Sequence, residues 1–418
     1  MIREQLAPAV HLNMLTMDKF KTDQVSISFI MPLDARTATY ATLLSMVLKT
    51  GCAAYPDVIS LARALDELYG AQLNVMLRKK GDNHLMTFQI EFLDPAFVTE
   101  KDIAKRALEL LRKIVFEPLI EEGAFAQAAV MREKKNLCDL IDARINDKRL
   151  YALQRCGELT AQGQPFEVYE CGEKNMAQEI DAASLYEFYC QYMRRAVVEI
   201  YGFGRMQAQQ VSEVFAPMFG QDRQPASLLT AWISTGAVRD YEENYPVEQA
   251  KLSMGFCFAD EVDEVAQRLF VILYGASPSS LLFANVREKL SLCYYCSATL
   301  DKHKNMMIVY SGVMPQKIEA AKSEILAQLE AVQQGRFTQD EFAAAKKAYI
   351  NNLRSMADSM EQTENYAISQ TLLGAPIDVE ATLANIDRLE PADIQAVAAL
   401  VQPVTTYVLK GGEDDDQK

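Results

Sequence analysis

The residues that could do chemistry are concentrated in one stretch, PSSLLFANVREKLSLCYYCS, from Pro278 to Ser297. Its apolar residues recur at helical spacing and predict a helix that carries Arg287, while Tyr294 follows at the start of a predicted strand. An arginine offers fixed donors and a tyrosine offers a hydroxyl, so the pair could hold one peptide carbonyl from two rigid elements. Taken alone, the stretch is explained more simply by a surface arginine beside a core tyrosine.

Two other patterns give weaker signals. Cys293 and Cys296 have the C-x-x-C spacing of redox motifs. Residues three apart on a strand point to opposite faces, and redox pairs normally lie at a helix N-terminus, so we expect no redox function unless Cys296 begins a turn. The three histidines, His11, His84 and His303, are too far apart to form a helical metal-binding pair.

The composition argues against several classes of function. The chain has 418 residues and is 50% hydrophobic, which predicts two or more domains with substantial cores. A net charge of −15 argues against nucleic acid and anionic membrane surfaces as partners. We see no apolar run that could span a membrane, no secretory signal pattern, and only scattered cysteines. We therefore expect a cytoplasmic protein.

The predicted elements occur twice in the same order: strand, helix, short helix, two strands, helix, long helix, helix and strand. The long helices are predicted over about 122–160 and about 339–373. This duplication predicts an α+β fold with two halves, each a mixed, mostly antiparallel sheet with helices packed on one face. We predict domains at 1–220 and 248–418, joined by a linker at 221–247 that is rich in proline, glycine and charge, and we expect the acidic tail EDDDQK to be solvated.

With this duplication in view, the chain resembles the insulinase-like (inverzincin) zinc peptidases, especially their short bacterial and mitochondrial-processing-peptidase-like members. Residues 70–74, GAQLN, are similar to the family's G-A-x-L-N segment, and SSLLFANVREKLSLCYY is similar to its S-x-L-F-x-x-x-R-E-K-x-G-L-A-Y-S segment. The resemblance covers essentially the whole chain. It implies that Arg287 and Tyr294 correspond to the family's substrate-binding arginine and tyrosine.

The metal motif of the active members is missing. These members carry H-x-x-E-H on the first core helix, and alignment on the helix predicted at 37–50 places the two histidine positions on Ala41 and Ser45 and the base position on Leu44. The distal glutamate falls near Lys135. Alanine and leucine cannot ligate zinc or act as a base, and a lysine would repel the ion, so we expect no metal in this chain.

The resemblance implies a role for the pair that remains. In the heterodimeric members one subunit carries the metal motif, and the other lacks it but keeps the arginine and tyrosine. We therefore predict a non-catalytic subunit, inactive alone, that pairs with an H-x-x-E-H zinc peptidase subunit or with itself. Arg287 and Tyr294 would bind a peptide or unfolded protein substrate, with zinc in the partner only.

One alternative stays open from the sequence. The chain could be a non-proteolytic, homodimeric peptide-binding or scaffold protein. Its resemblance to bacterial members without the metal motif implies a connection with modification of elongation factor P. The alternation of a strand also leaves open whether Tyr294 or Tyr295 faces the cavity.

Overall fold

The computed structural model of the protein describes residues 1–411, and the predicted acidic tail lies outside the described residues. The chain divides into two units. Unit 1 contains Met1–Ala143 and Val168–Leu229, and unit 2 contains Arg144–Glu167 and the residues from Thr230 onward. Neither unit is continuous in sequence, which differs from the predicted domains at 1–220 and 248–418. Among the described residues, no helix is both long and apolar enough to cross a membrane.

The alternation of apolar and polar residues along the strands gives the sheet of unit 1 one apolar face. On the third strand, Val25, Ile27 and Phe29 are buried in the core beneath the helices. The strands are β1 (Ile2–Ala7), β2 (Val10–Thr16), β3 (Thr22–Pro32), β4 (Gln72–Lys80) and β5 (Asn83–Leu93), then the small separate hairpin β6 (Ile120–Glu121) and β7 (Ala124–Phe125), and β8 (Val197–Gly204). The main sheet has the order β1-β2-β8-β3-β5-β4, in which only β2 and β8 are parallel.

The helices of the first half of the chain begin at polar capping residues. Asp34 accepts a hydrogen bond from the backbone N–H of Thr37 at 2.6 Å, which starts the first core helix. The helices are α1 (Ala35–Leu48), α2 (Val58–Asp66), α3 (Ile103–Phe116), α4 (Gln127–Ala143), α5 (Lys148–Thr160), α6 (Lys174–Glu179), α7 (Ala182–Arg195) and α8 (Ala208–Phe215). All except α5 belong to unit 1. The helix predicted at 37–50 is confirmed as α1.

The sheet of unit 2 repeats the strand order of unit 1. Its strands are β9 (Arg239–Asn244), β10 (Ala250–Phe258), β11 (Cys293–Asp301), β12 (Met306–Val313) and β13 (Val401–Lys410). The order β11-β12-β10-β13-β9 matches β4-β5-β3-β8-β2, and β13 and β9 are the parallel pair, as β8 and β2 are in unit 1. Both sheets are therefore mixed and mostly antiparallel, and the duplication is visible in their topology.

The stretch predicted as a linker contains a strand of this second repeat. β9 has the sequence RDYEEN, and its position in the sheet corresponds to that of β2. Five of its six residues are charged or polar, so its composition resembles a loop. It forms a strand because it pairs at the sheet edge along the apolar β13.

The second sheet carries helices on both faces. The elements after β10 are α9 (Glu264–Tyr274), a π-helix (Leu282–Lys289), α10 (Ile318–Gln333), α11 (Gln339–Met356), α12 (Met360–Leu373), α13 (Val379–Arg388) and α14 (Pro391–Ala399). Residues of α9, α10, α11 and α14 form the core on one face. On the opposite face, Ala152, Cys156 and Leu159 of α5 join residues of β10, β12 and β13 in a separate apolar cluster.

Both predicted long helices are interrupted. The stretch 122–160 contains β7, α4, a short break and α5, and the stretch 339–373 divides into α11 and α12. Asp147 accepts from the N–H of Leu150 at 2.9 Å, and Ser359 accepts from the N–H of Gln362 at 3.2 Å. Each of these short polar residues therefore starts a new helix inside a continuous helical pattern.

Candidate functional site

The positions aligned with the metal motif lie inside the core of unit 1. Ala41 and Leu44 of α1 are fully buried, and Ser45 is 3% exposed. The hydroxyl of Ser45 donates to the carbonyl of Thr42 in its own helix at 2.8 Å. Zinc takes nitrogen, sulfur or carboxylate ligands from the protein. The methyl group of Ala41 and the isobutyl group of Leu44 are not such ligands, and the hydroxyl of Ser45 is already hydrogen-bonded in its own helix.

Lys135, predicted at the distal glutamate position, lies on the exposed side of α4. The buried residues of that helix are Val130, Glu133 and Leu137. Glu133 accepts hydrogen bonds from Nε of Arg132 at 2.7 Å and from Nδ2 of its neighbour Asn136 at 2.9 Å. The buried carboxylate of α4 is thus already satisfied by residues of its own helix.

A loop at 170–173 closes over α1 beside these positions. The backbone N–H of Glu173 donates to Oγ1 of Thr39 at 3.0 Å. Gly172 has φ +83°, and a Cβ built there would lie 2.2 Å from the same Oγ1 and 2.4 Å from Cα of Thr39. The position therefore requires glycine for its backbone conformation and for the close approach. The loop occupies the face of α1 that carries Thr39, two residues from Ala41.

The three histidines lie in separate environments. His84 is fully buried with Nε2 3.0 Å from the carbonyl of Glu170, and burial lowers its pKa to about 4. His11 lies 3.2 Å from the carboxylate of Glu199, and His303 bonds to the Ser369 hydroxyl at 2.7 Å. Across residues 1–411, no three His, Cys, Asp or Glu side chains are grouped so that they could hold a metal ion.

The helix that carries Arg287 is confirmed, but it is wound as a π-helix. The N–H of Leu290 donates to the carbonyl of Asn285 at 3.1 Å, five residues back. Buried Leu282 and Val286 hold the inner side of this helix in the core of unit 2. Single π-helical segments are rare and often occur at functional sites.

Arg287 projects from the outer side of the π-helix. Its side chain is 41% exposed, its guanidinium lies 4.6 Å from the ring centroid of Phe283, and Nε is 3.5 Å from the carboxylate of Glu288. The ring and the carboxylate both restrict the guanidinium, which keeps free N–H groups for a ligand because a guanidinium has five.

The exit from the π-helix is fixed by a strained turn. Ser291 has φ +48°, in the left-handed region, at the position where the family segment has glycine. Nζ of Lys317 donates to the carbonyl of Ser291 at 2.9 Å, which holds the turn in place. This turn sets the point at which β11 starts, and hence the position of Tyr294 relative to Arg287.

A β-bulge at the start of β11 decides the directions of its side chains. Cys293 lies opposite Val313 and Tyr295 lies opposite Gly312, so Tyr294 is the extra residue. Tyr294 is 61% exposed. The bulge also shifts the alternation, so Cys293 packs against the core cluster that contains Cys296. The expectation that these two cysteines point to opposite faces is therefore wrong, because it assumed a regular strand.

Tyr295 has a different environment from Tyr294. Its ring lies 4.5 Å from the guanidinium of Arg149 and 6.1 Å from the ring of Tyr310, and burial raises its pKa to about 12. Tyr295 is thus held in a cluster of its own, while Tyr294 is on the open side.

Arg287 and Tyr294 line one cleft of unit 2, with a volume of about 400 Å³. The other lining residues are Glu288, Ser291, Leu292, Cys293, Met314 and Lys317. The guanidinium and the tyrosine hydroxyl, with Lys317 beside them, provide donors for a carbonyl or carboxylate oxygen, and the leucine and methionine provide an apolar wall. Sequence reasoning missed Met314 and Lys317, since they follow β12 and reach the cleft only through the pairing of β12 with β11.

Comparison with known proteins gives consistent relatives for the whole chain. A family model described as "Peptidase M16 inactive domain" matches residues 179–349. The chain is 30% identical over 403 residues to "Probable inactive metalloprotease YmfF" of Bacillus subtilis (strain 168), covering 95% of this chain and 94% of the relative.

Two solved structures share the fold over nearly their full lengths. A conserved protein from Enterococcus faecalis V583 is 25% identical with a TM-score of 0.88, and the match covers 98% of each chain. A protease from Helicobacter pylori is 16% identical with a TM-score of 0.77, covering 98% of this chain and 99% of the other. The chain therefore belongs to the insulinase-like peptidase M16 family, as a non-catalytic homologue of its zinc peptidases.

Proposed function

We propose that this chain is the substrate-binding subunit of a two-subunit peptidase, in which an H-x-x-E-H homologue holds the zinc. The observation that carries the proposal is the contrast between the two units. In unit 1 the metal positions Ala41, Leu44 and Ser45 are buried and closed over, whereas in unit 2 Arg287 and Tyr294 remain exposed in one cleft.

Arg287 and Tyr294 are suited to hold a peptide carbonyl. The guanidinium is oriented by Phe283 and Glu288, and the tyrosine hydroxyl is carried on a bulge that the Ser291 turn fixes. Donors held in advance lose little entropy on binding and stabilise negative charge that develops on the oxygen. Removing one such donor typically lowers the rate about 100- to 1,000-fold. The apolar side chains of the cleft would cover the peptide next to the carbonyl.

The experiment is co-expression of this chain with an H-x-x-E-H homologue from the same genome. Cleavage of a quenched fluorescent peptide library is measured for the purified complex and for each subunit alone. We expect cleavage by the complex only. Arg287→Ala should lower kcat/KM about 100-fold or more, by loss of one oxyanion donor. Tyr294→Phe should also lower it, because the hydroxyl is removed and the ring is kept.

Two matched variants serve as controls. Lys289→Ala removes a positive charge from the same helix at a position outside the cleft, and Tyr295→Phe removes the hydroxyl of the neighbouring tyrosine. Both should retain activity within about threefold, since neither side chain is a donor in the cleft. A complex that stays fully active with Arg287→Ala contradicts the role of that residue.

The alternative is a homodimeric peptide-binding or scaffold protein without proteolysis, connected with modification of elongation factor P. Native mass spectrometry of the protein taken from its own cell distinguishes the two proposals. A stable homodimer without a peptidase homologue supports the scaffold, and a heterodimer with an H-x-x-E-H chain supports the peptidase subunit.

A further inference from the structure

The cleft wall contains two cysteines that a strand of regular geometry would have separated. The bulge at Tyr294 turns Cys293 toward the face that carries Cys296, and Cys293 packs against the core cluster that contains Cys296. Ser311 lies directly opposite Cys296 on β12, and its hydroxyl is buried. Cys293, Cys296 and Ser311 therefore lie on the same face of the sheet beside the bulge.

The two thiols differ in access and in acidity. Cys293 is half-buried and lines the cleft, whereas Cys296 is 3% exposed and belongs to the core of unit 2. Interaction with the neighbouring Cys296 thiol lowers the pKa of Cys293 to about 7 against the effect of burial, with further help from Ser311 and Arg287. The same contact and burial raise the pKa of Cys296 well above its ordinary value. The more acidic of the two thiols is thus the one that lines the cleft, and the less acidic one is buried.

We propose that Cys293 and Cys296 form a reversible thiol–disulfide pair in the wall of the cleft, with Cys293 as the site that an oxidant attacks. A hydroperoxide supplies the oxidant. The Cys293 thiolate attacks its terminal oxygen, the O–O bond breaks, and an alcohol or water leaves as Cys293 becomes a sulfenic acid. The Cys296 thiol then attacks that sulfur, so that an S–S bond forms and one water is released. A cellular dithiol reverses the reaction by exchange.

Closure of the disulfide would act on the cleft. The sulfur atoms must come to about 2.05 Å from each other, and the two residues flank the bulge that carries Tyr294. Oxidation would therefore tighten the bulge and shift the tyrosine relative to Arg287. This proposal concerns chemistry of the isolated chain, and it stands or falls separately from the pairing with a peptidase.

The test uses the full chain, reduced, then treated with hydrogen peroxide at pH 7 and blocked with N-ethylmaleimide. Trypsin releases residues 290–302 as one peptide with both cysteines. We expect this peptide to lose two hydrogen atoms and to take up no maleimide. Cys138 and Cys190, which are half-buried in unit 1, serve as internal controls and should still be alkylated.

Two variants assign the roles of the pair. In Cys296→Ser, we expect dimedone to trap a sulfenic acid at Cys293, because the second thiol is missing. In Cys293→Ser, Cys296 should stay reduced. The proposal would be overturned if Cys138 and Cys190 were oxidised while Cys293 and Cys296 stayed reduced. It would also be overturned if Cys296 were oxidised to the same extent in Cys293→Ser as in the unmodified chain.

A rate measurement on the unmodified chain needs no substitution. At pH 7 about half of a thiol with a pKa near 7 is ionised, against about 3% of an ordinary one, and the lower nucleophilicity offsets part of this gain. Iodoacetamide should therefore react with Cys293 about threefold faster than with the thiol of a short unstructured reference peptide, with a pH midpoint near 7. A midpoint of 8.5 or higher for Cys293 would contradict the assignment of the attacked residue.

Discussion

Leu44→Glu tests whether the former metal site is closed to water. Leu44 is fully buried in the core of unit 1, at the position where active relatives carry their catalytic glutamate. The substitution removes a buried isobutyl group, which costs about 2–3 kcal/mol. A carboxyl group enclosed there should take up a proton, because burial can raise a glutamate pKa above 7.

The cost of keeping this carboxyl group protonated determines how much the free energy of unfolding falls and how that loss depends on pH. Holding a carboxyl of ordinary pKa about 4.3 neutral at pH 7 costs about 4 kcal/mol, and at pH 5 about 1 kcal/mol. The folded-state pKa is raised above the unfolded value, so the penalty grows as the pH rises from about 4 toward the folded-state pKa. Leu44→Glu should therefore lose about 6 kcal/mol at pH 7 and about 3 kcal/mol at pH 5.

Leu44→Gln is the matched control, because it has the same shape without a titrating group. The assay is urea unfolding of both variants by far-UV circular dichroism between pH 5 and pH 8, with and without zinc. The difference between the two variants should reach about 4 kcal/mol at pH 7 and fall to about 1 kcal/mol at pH 5. Equal stabilities across this range, or stabilisation of Leu44→Glu by zinc, would show that water and metal reach Leu44, and would refute the reasoning.

Two further predictions concern unit 1. Gly172→Ala should lower the free energy of unfolding by about 3 kcal/mol, because of the positive φ and the contact with α1. The control Gly163→Ala has the same φ of +83° and nothing within 4 Å, so it should lower that free energy by only about 1 kcal/mol. Equal losses of stability in thermal unfolding would mean that the loop does not press on α1. Burial raises the pKa of Asp23 to about 6 despite its hydrogen bond from the N–H of Arg205, so its ionised form weakens folding above that pH. Asp23→Asn should stabilise the protein by about 1–2 kcal/mol at pH 8, allowing for solvent screening, and leave it unchanged at pH 4; a pH-independent effect in the same unfolding assay would contradict this.

Much of the fold could be predicted because it depends on local periodicity. The strands β3 and β10 alternate or are continuously apolar, and α1 and α9 begin at aspartates that cap them. The order of these elements was enough to expose the duplication. β9 could not be predicted, since its charged sequence becomes a strand only through pairing with β13, which is more than 150 residues away.

The residue types at the candidate site could be predicted from the sequence, but the directions in which their side chains point could not. The spacing of Arg287 and Tyr294 suggested a pair, and the structure places both in one cleft. One inserted residue in the register of β11 against β12 decides two things. It decides which of Tyr294 and Tyr295 lies in the cleft, and whether Cys293 and Cys296 lie on the same face of the strand. A β-bulge has no strong sequence signature here, because it arises between two strands and not within one.

The position of α5 has a consequence for how the chain is made. This helix lies upstream of every strand of the sheet that it covers in unit 2, and β13, which contributes Tyr407 to their shared cluster, follows it by more than 200 residues. During translation, the apolar side of α5 therefore has no surface to pack on until the C-terminal strands leave the ribosome. Separate expression of the two sequence repeats would divide this cluster between two polypeptides. The sequence repeats are therefore not the folding units, because Arg144–Glu167 belongs to unit 2 although it lies within the first repeat.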